Sequence, residues 1–155
     1  MARLRDLPLV DAWVPESSTI AEAVAGLFEA RVPAIAVLDG ERRVVGVVSE
    51  TDVLRAVFPR YLGDLRHTAF LADDSELLDE RAKAVRSEPT KTFARVVARL
   101  DANESETHAA ERFLHTGEQA LPVVDGERFV GMLSIAALCD ARLGRRDDME
   151  RRRYS

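Results

Sequence analysis

Apolar positions in this chain follow one order, and then the same order again. From Ile20 they recur at helical spacing, through Ala23, Val24, Leu27 and Phe28, which predicts a helix with one apolar face. Thr19, with Glu22 three residues on, forms a capping-box sequence at its start. Two continuous apolar runs follow, AIAVL from Ala34 and VVGVV from Val44, both of strand length. DGER lies between them, and Gly40 supplies the positive φ that such a hairpin turn requires. TDVLRAVF from Thr51 returns to helical spacing, and a further apolar stretch, LPLVDAWV from Leu7, precedes the whole. The unit reads β-α-β-β-α.

The second half repeats it. FARVVARL from Phe93 leads, Ala109, Ala110, Phe113 and Leu114 mark the helix face, and ALPVV, FVGML and IAALCDARL follow. Asp39-Gly40 falls on Asp125-Gly126, a separation of 86 positions. Carried back, that separation runs without a gap to the N-terminus and sets Arg5 on Lys91. Past Arg42 the second copy lacks one residue, so Gly46 meets Gly131 and Ser49 meets Ser134. Internal repeats decide a fold before local detail does. Neither half has the apolar surface to fold well alone. The expected architecture is therefore α+β: two repeats packed through their sheets with pseudo-twofold symmetry around one core.

Residues 1–60 form the first repeat, 61–90 a helical linker, 91–143 the second repeat and 144–155 a tail. In the linker, Ser75 to Arg86 has helical composition, with Leu77, Leu78 and Val85 apolar, Ser75 as N-cap and Pro89 as terminator. The tail, GRRDDMERRRYS, is polar and reads as a frayed or disordered end.

A net charge of -5 argues against a surface that coats nucleic acid, which needs a basic face. The run Arg151 to Arg153 is the one feature that points the other way. Cys139 is the single cysteine, so an internal disulfide is excluded and a reducing compartment is expected. Its apolar neighbours predict a small buried side chain. Arg5, Asp6 and Pro8 break the first apolar run, which spoils a signal peptide, and no run approaches membrane-span length. A cytoplasmic protein is expected. His67, His108 and His115 lack the spacing of paired metal ligands, and Asp73-Asp74 reads as acids at a helix start. Trp13, at a strand end, reads as a core or interface aromatic. No nucleophile, P-loop or metalloprotease motif is present, so no enzymatic activity is expected.

The tandem hairpin phrase, VLDGERRVVGVVSETD and VVDGERFVGMLSIAA, resembles a pair of cystathionine-β-synthase (CBS) domains, the Bateman module, here standing alone. The likeness covers all but the linker and tail, and its most specific part is GVVSETD, Gly46 to Asp52. The hairpin proline of the pattern is Pro122 in the second copy, whereas the first has Ala36. In nucleotide-binding members of the family this segment carries a ribose-binding aspartate preceded by Ser/Thr. The resemblance thus implies a site for AMP, ADP, ATP or S-adenosylmethionine built on Ser49, Thr51 and Asp52, with no other cofactor. Val47, Val96, Val97, Ala120 and Pro122 would wall the adenine. It also implies a homodimer, signalling by conformational change to a protein partner.

The residue types suit that chemistry. A carboxylate accepts both hydroxyls of a ribose diol, and hydroxyls beside free N–H groups at a helix start suit phosphate. Ser49 to Asp52 is equally a capping box, which needs no ligand. Ser134 and Ala137 hold the matching places in the second copy, and without the acid that site is degenerate. Two functions stay open: a nucleotide-sensing module with one competent site per chain, or a ligand-free dimerisation or docking module in which Asp52 is only a cap.

Overall fold

A computed structural model of the protein describes residues 2–58 and 71–153. Each repeat contributes one three-stranded sheet and two helices. In the first repeat β1 (Trp13–Pro15) runs parallel to β2 (Ala34–Leu38), which runs antiparallel to β3 (Val44–Ser49). Helix α1 (Ile20–Ala30) connects β1 to β2, and α2 (Glu50–Val57) follows β3. After the linker helix α3 (Leu71–Arg86) come β4 (Leu100–Asp101), α4 (Glu106–Thr116), β5 (Ala120–Asp125), β6 (Arg128–Ser134) and α5 (Ile135–Arg153). The sheet order of the first repeat recurs as β4-β5-β6.

The predicted unit is therefore present twice. Its middle strands are buried on both faces, which is why they read as continuous apolar runs rather than as alternation. One core spans the repeats: Ile35, Val37 and Val48 cluster with Ala120, Phe129 and Met132.

The segments that lead into the repeats are exchanged. Leu4 and Leu7, at the start of the first repeat, pack into the second repeat's core with Leu100, Phe113 and Leu121. Phe93, at the start of the second, packs against Ile20, Ala56 and Val85. The backbone bonds are reciprocal: Leu4 N–H donates to Glu104 O, and Thr90 N–H donates to Ser18 O. These four residues are pairwise 86 apart, so the pseudo-twofold relates the two exchanges.

Several expectations change. The ungapped separation does not hold. Val10 pairs with Met132 as Arg95 pairs with Val47, so the separation is 85 at this crossing and 86 on either side of it. In the first hairpin the left-handed residue is Arg42 (φ 60°), not Gly40; Gly126 plays that part in the second. Asp39 makes this possible, because its Oδ1 accepts from the N–H groups of Glu41 and Arg43 and holds the turn.

The linker helix begins at Leu71, so Ser75 lies inside it rather than at its cap. The linker before residue 71 lies outside the described residues, as does His67. Helix α5 continues through Gly144 to Arg153, into the segment assigned to the tail, where no proline interrupts it.

The apolar helix faces are wider than what they bury. Ile20, Ala23 and Leu27 are buried, whereas Val24 and Phe28 are exposed, as is Leu114 on α4. Cys139 is exposed, because Ile135, Ala137, Leu138 and Ala141 are the α5 residues turned to the core.

Candidate functional site

Strand β3 runs directly into α2, and the junction carries Ser49 and Asp52. Ser49 is the N-cap: its Oγ accepts from Asp52 N–H at 3.1 Å. Asp52 Oδ2 in return accepts from Ser49 N–H at 2.9 Å and from Ser49 Oγ at 2.8 Å. The capping box expected from the sequence is complete. Glu50 N–H donates to Pro33 O, which ties the helix start to the head of β2.

Across this junction lies the leader of the second repeat. Arg95 and Val47 exchange both backbone hydrogen bonds at 2.9 Å. Gly46 permits the approach, since a Cβ there would stand 2.8 Å from Ala94 Cβ and 3.2 Å from Arg95 O. The Arg95 side chain then meets two carboxylates. Its Nε donates to Asp52 Oδ1 and Oδ2 at 2.8 and 2.9 Å. Its Nη1 and Nη2 donate to the two oxygens of Glu118, in the loop before β5. The Asp52 and Glu118 side chains are only 9% and 14% exposed, against 39% for Arg95, so the acids are covered and the guanidinium reaches the surface. The bonds to Glu118, outweighing burial, and then those to Asp52 raise the Arg95 pKa above its ordinary value. The guanidinium is a permanent charge.

A cleft of about 250 Å³ opens at this cluster. Pro33, Ser49, Thr51, Asp52 and Arg55 line it from the first repeat, and Arg95, Glu118 and Gln119 from the second. Of the residues expected to bind a ligand, Ser49, Thr51 and Asp52 are thus brought together. Val47 and Ala120 are fully buried and Pro122 is buried, and none of the three lines the cleft, so they form no open slot there. Val97 is partly buried against both cores, and Val96 is 85% exposed and does not line the cleft.

Arg55, Arg95 and Glu118 were not legible as site residues. The one signal was the charge of Arg95 within the apolar run FARVVARL, where the crossing of the first repeat has Val10.

The matching place in the second repeat lacks this chemistry. Ser134 Oγ accepts from Ala137 N–H at 3.1 Å, so the cap persists without an acid. Ala137 packs against the second core, and Val10 makes the backbone pairing that Arg95 makes in the other half. A larger groove of about 430 Å³ between α1, α2 and α3 is walled by Val24, Phe28, Val53, Val57 and Val85, and among the described residues Arg86 is the one charged group on it.

Trp13 lies at a strand end under the Arg42 guanidinium, 5.3 Å from its ring centroid, with Phe129 at 5.9 Å on the same cation. His108 and His115 are exposed. Among the described residues no group of three or more His, Cys, Asp or Glu could hold a metal, and no helix is long and apolar enough to cross a membrane.

The CBS domain family model matches residues 4–59 and 94–144. Comparison with curated protein sequences finds no match. Among solved structures, a putative acetoin utilization protein from Vibrio cholerae superposes with a TM-score of 0.72 at 14% identity, covering 97% of each chain. A CBS domain protein from Pyrobaculum aerophilum complexed with AMP gives 0.68 at 25% identity, covering 89% of this chain and 91% of that one. CBSX2 in complex with AMP gives 0.67 at 22% identity, covering 94% and 99%.

Proposed function

The chain belongs to the CBS-domain family, and from that membership we propose that it is a regulatory, non-catalytic module binding an adenosine-containing ligand at Asp52, one per chain. AMP, ADP, ATP and S-adenosylmethionine form the candidate set. The observation that carries the reading is the convergence, in a cleft shared by both repeats, of the carboxylates of Glu50, Asp52 and Glu118, two hydroxyls and two guanidinium groups. The Asp52 carboxylate suits a ribose diol, and the hydroxyls and cations suit phosphate. Two structural neighbours are AMP complexes, which favours this ligand class. Since the cleft is built from both repeats, a ligand that prefers one of their arrangements shifts the population towards it. A homodimer in the cytoplasm, with a protein partner reading that shift, completes the proposal.

One observation favours a second reading. Both Asp52 oxygens already accept hydrogen bonds within the chain, as a cap and an ion pair require. On that reading the module docks or dimerises without a ligand. Calorimetric titration of AMP, ADP, ATP, S-adenosylmethionine and NAD against the wild type and Asp52→Ala separates the two. Binding weakened at least about tenfold in a folded variant supports the ligand site. Absence of binding by all five leaves the docking module.

A further inference from the structure

The inference deepens the homodimer reading above and rests on it. The pseudo-twofold relates the outer face of α1 and α2 to that of α4 and α5, but the two faces do not carry the same chemistry. On the first, Val24 and Leu54 are exposed and Phe28 is 86% exposed, beside the groove of about 430 Å³. On the second, Glu111 and Arg142 take the places of Ala25 and Val57. The groove there is about 280 Å³ and holds Arg142 at 3.6 Å from Glu106, with Thr107 and Cys139 beside them. Large apolar side chains next to an apolar groove form a surface that a second apolar surface covers favourably.

The charges around the first face suit a copy of itself. Ile20 N–H donates to Glu88 O, so Arg86, which lines the groove, stands at the start of α1. Glu22, near the same end, does not line the groove. Glu29, Arg31 and Glu50 gather beside Phe28 at the other end of α1, with one negative charge in excess. A two-fold axis passing the middle of α1 sets each end of the face against the opposite end of its copy. The cation then meets the acids twice, and Phe28 of each copy falls over the groove of the other.

We infer that two copies of this chain associate with like repeats facing, the α1–α2 face of one on the α1–α2 face of the other, and not head to tail. Head to tail, Phe28 and its groove would lie on Glu111 and on the Arg142–Glu106 pair. Water would be stripped from charges that an apolar face cannot partner. Like on like, that cost does not arise. The α4–α5 faces then meet as copies too, and Glu111 and Arg142, of opposite sign, are matched across the same axis.

Light scattering and energy transfer on the full chain test this. Glu22 and His108 hold matching, exposed places on α1 and α4, so E22C and H108C, each with C139S, are the labelling sites. Wild type is expected at twice the chain mass. Transfer from E22C in one copy to E22C in the other should exceed transfer from E22C to H108C. The reverse order overturns the orientation while the homodimer stands. A monomeric wild type sinks both and leaves the face to another partner. Phe28→Asp changes an exposed side chain outside the core and is expected to weaken association at least about tenfold. A folded Phe28→Asp that associates like wild type also overturns the inference, because the copies then meet elsewhere. If circular dichroism shows that variant unfolded, the order of the two transfer efficiencies decides alone.

Discussion

Arg95 Nε stands 2.8 Å from Asp52 Oδ1, although the two residues belong to different repeats. Through Glu118 the same guanidinium also reaches the loop ahead of β5, so one side chain ties three segments together. The reciprocal exchange of the two leaders makes the contact possible, because it carries Arg95 across β3 of the opposite repeat. Structural cohesion and the proposed ligand recognition would therefore use the same carboxylate.

The energetic coupling of that pair is measurable without any ligand. A double-mutant cycle on Asp52→Ala and Arg95→Met, read by urea unfolding, is expected to give a coupling of about 1 kcal/mol. The half-exposed guanidinium keeps it from being larger, and it should shrink in 1 M salt as screening predicts. A coupling of zero at low salt would mean that the ion pair holds nothing in place.

A second contact reports on the exchange itself. Ser18 Oγ donates to Thr90 Oγ1 at 2.9 Å, and both residues are buried. Thr90→Val strands the Ser18 hydroxyl and is expected to cost about 1–3 kcal/mol. The pair Ser18→Ala with Thr90→Val removes both polar groups and should recover most of that loss. Additive losses in chemical denaturation would contradict a shared buried bond.

The repeat, its element order and the cap at Ser49 were legible because burial periodicity and capping chemistry are written in side chains. The exchange of leaders was not. Leu4, Leu7 and Phe93 read as apolar wherever they pack, and the bonds that route them are made by backbone groups common to every residue. Gly46 and Gly131 were the available clue, glycines inside strands where another backbone passes close. Phe28 and Leu114 show the converse limit: helical spacing marks a face that could be buried, not one that is. Arg95 stayed hidden as a site residue because its partners come from two distant segments, which no local motif records.

Gly46 offers a direct test of the crossing. Gly46→Ala places a methyl 2.8 Å from Ala94 Cβ and 3.2 Å from Arg95 O, neither of which can yield without moving the leader. Overpacking of this kind costs about 1–3 kcal/mol. The expected result is a lower melting temperature, with faster hydrogen exchange at the Val47 and Arg95 amides.

The first hairpin should carry a dependence on acid. The Arg43 backbone N–H, against the opposing effect of burial, then the Glu41 N–H and the Arg43 guanidinium hold the Asp39 pKa below its usual 3.8. A carboxylate depressed on folding contributes stability that is fully present above the unfolded pKa. That contribution is lost as pH falls through the lower folded value. Asp39→Asn should therefore be less stable than wild type at neutral pH, with the difference closing below about pH 4. A difference that does not change between pH 7 and pH 3 would exclude this role for the carboxylate.

The stoichiometry of ligand binding should be one per chain, although the fold contains two related places. At the second, Ser134 Oγ is engaged by Ala137 N–H, and no carboxylate stands where Asp52 stands in the first. Replacing a charged hydrogen-bonding partner of the ribose forfeits about 1.5–3 kcal/mol, roughly ten- to hundredfold in affinity. Val10 also leaves that side without the cation available at Arg95. Calorimetry with AMP should saturate at one equivalent per chain, and Asp52→Ala should remove that single transition. A plateau at two equivalents would show that the second repeat recognises the ligand by groups other than those at Ser134 and Ala137. The case for Asp52 as the deciding residue would then fail with it.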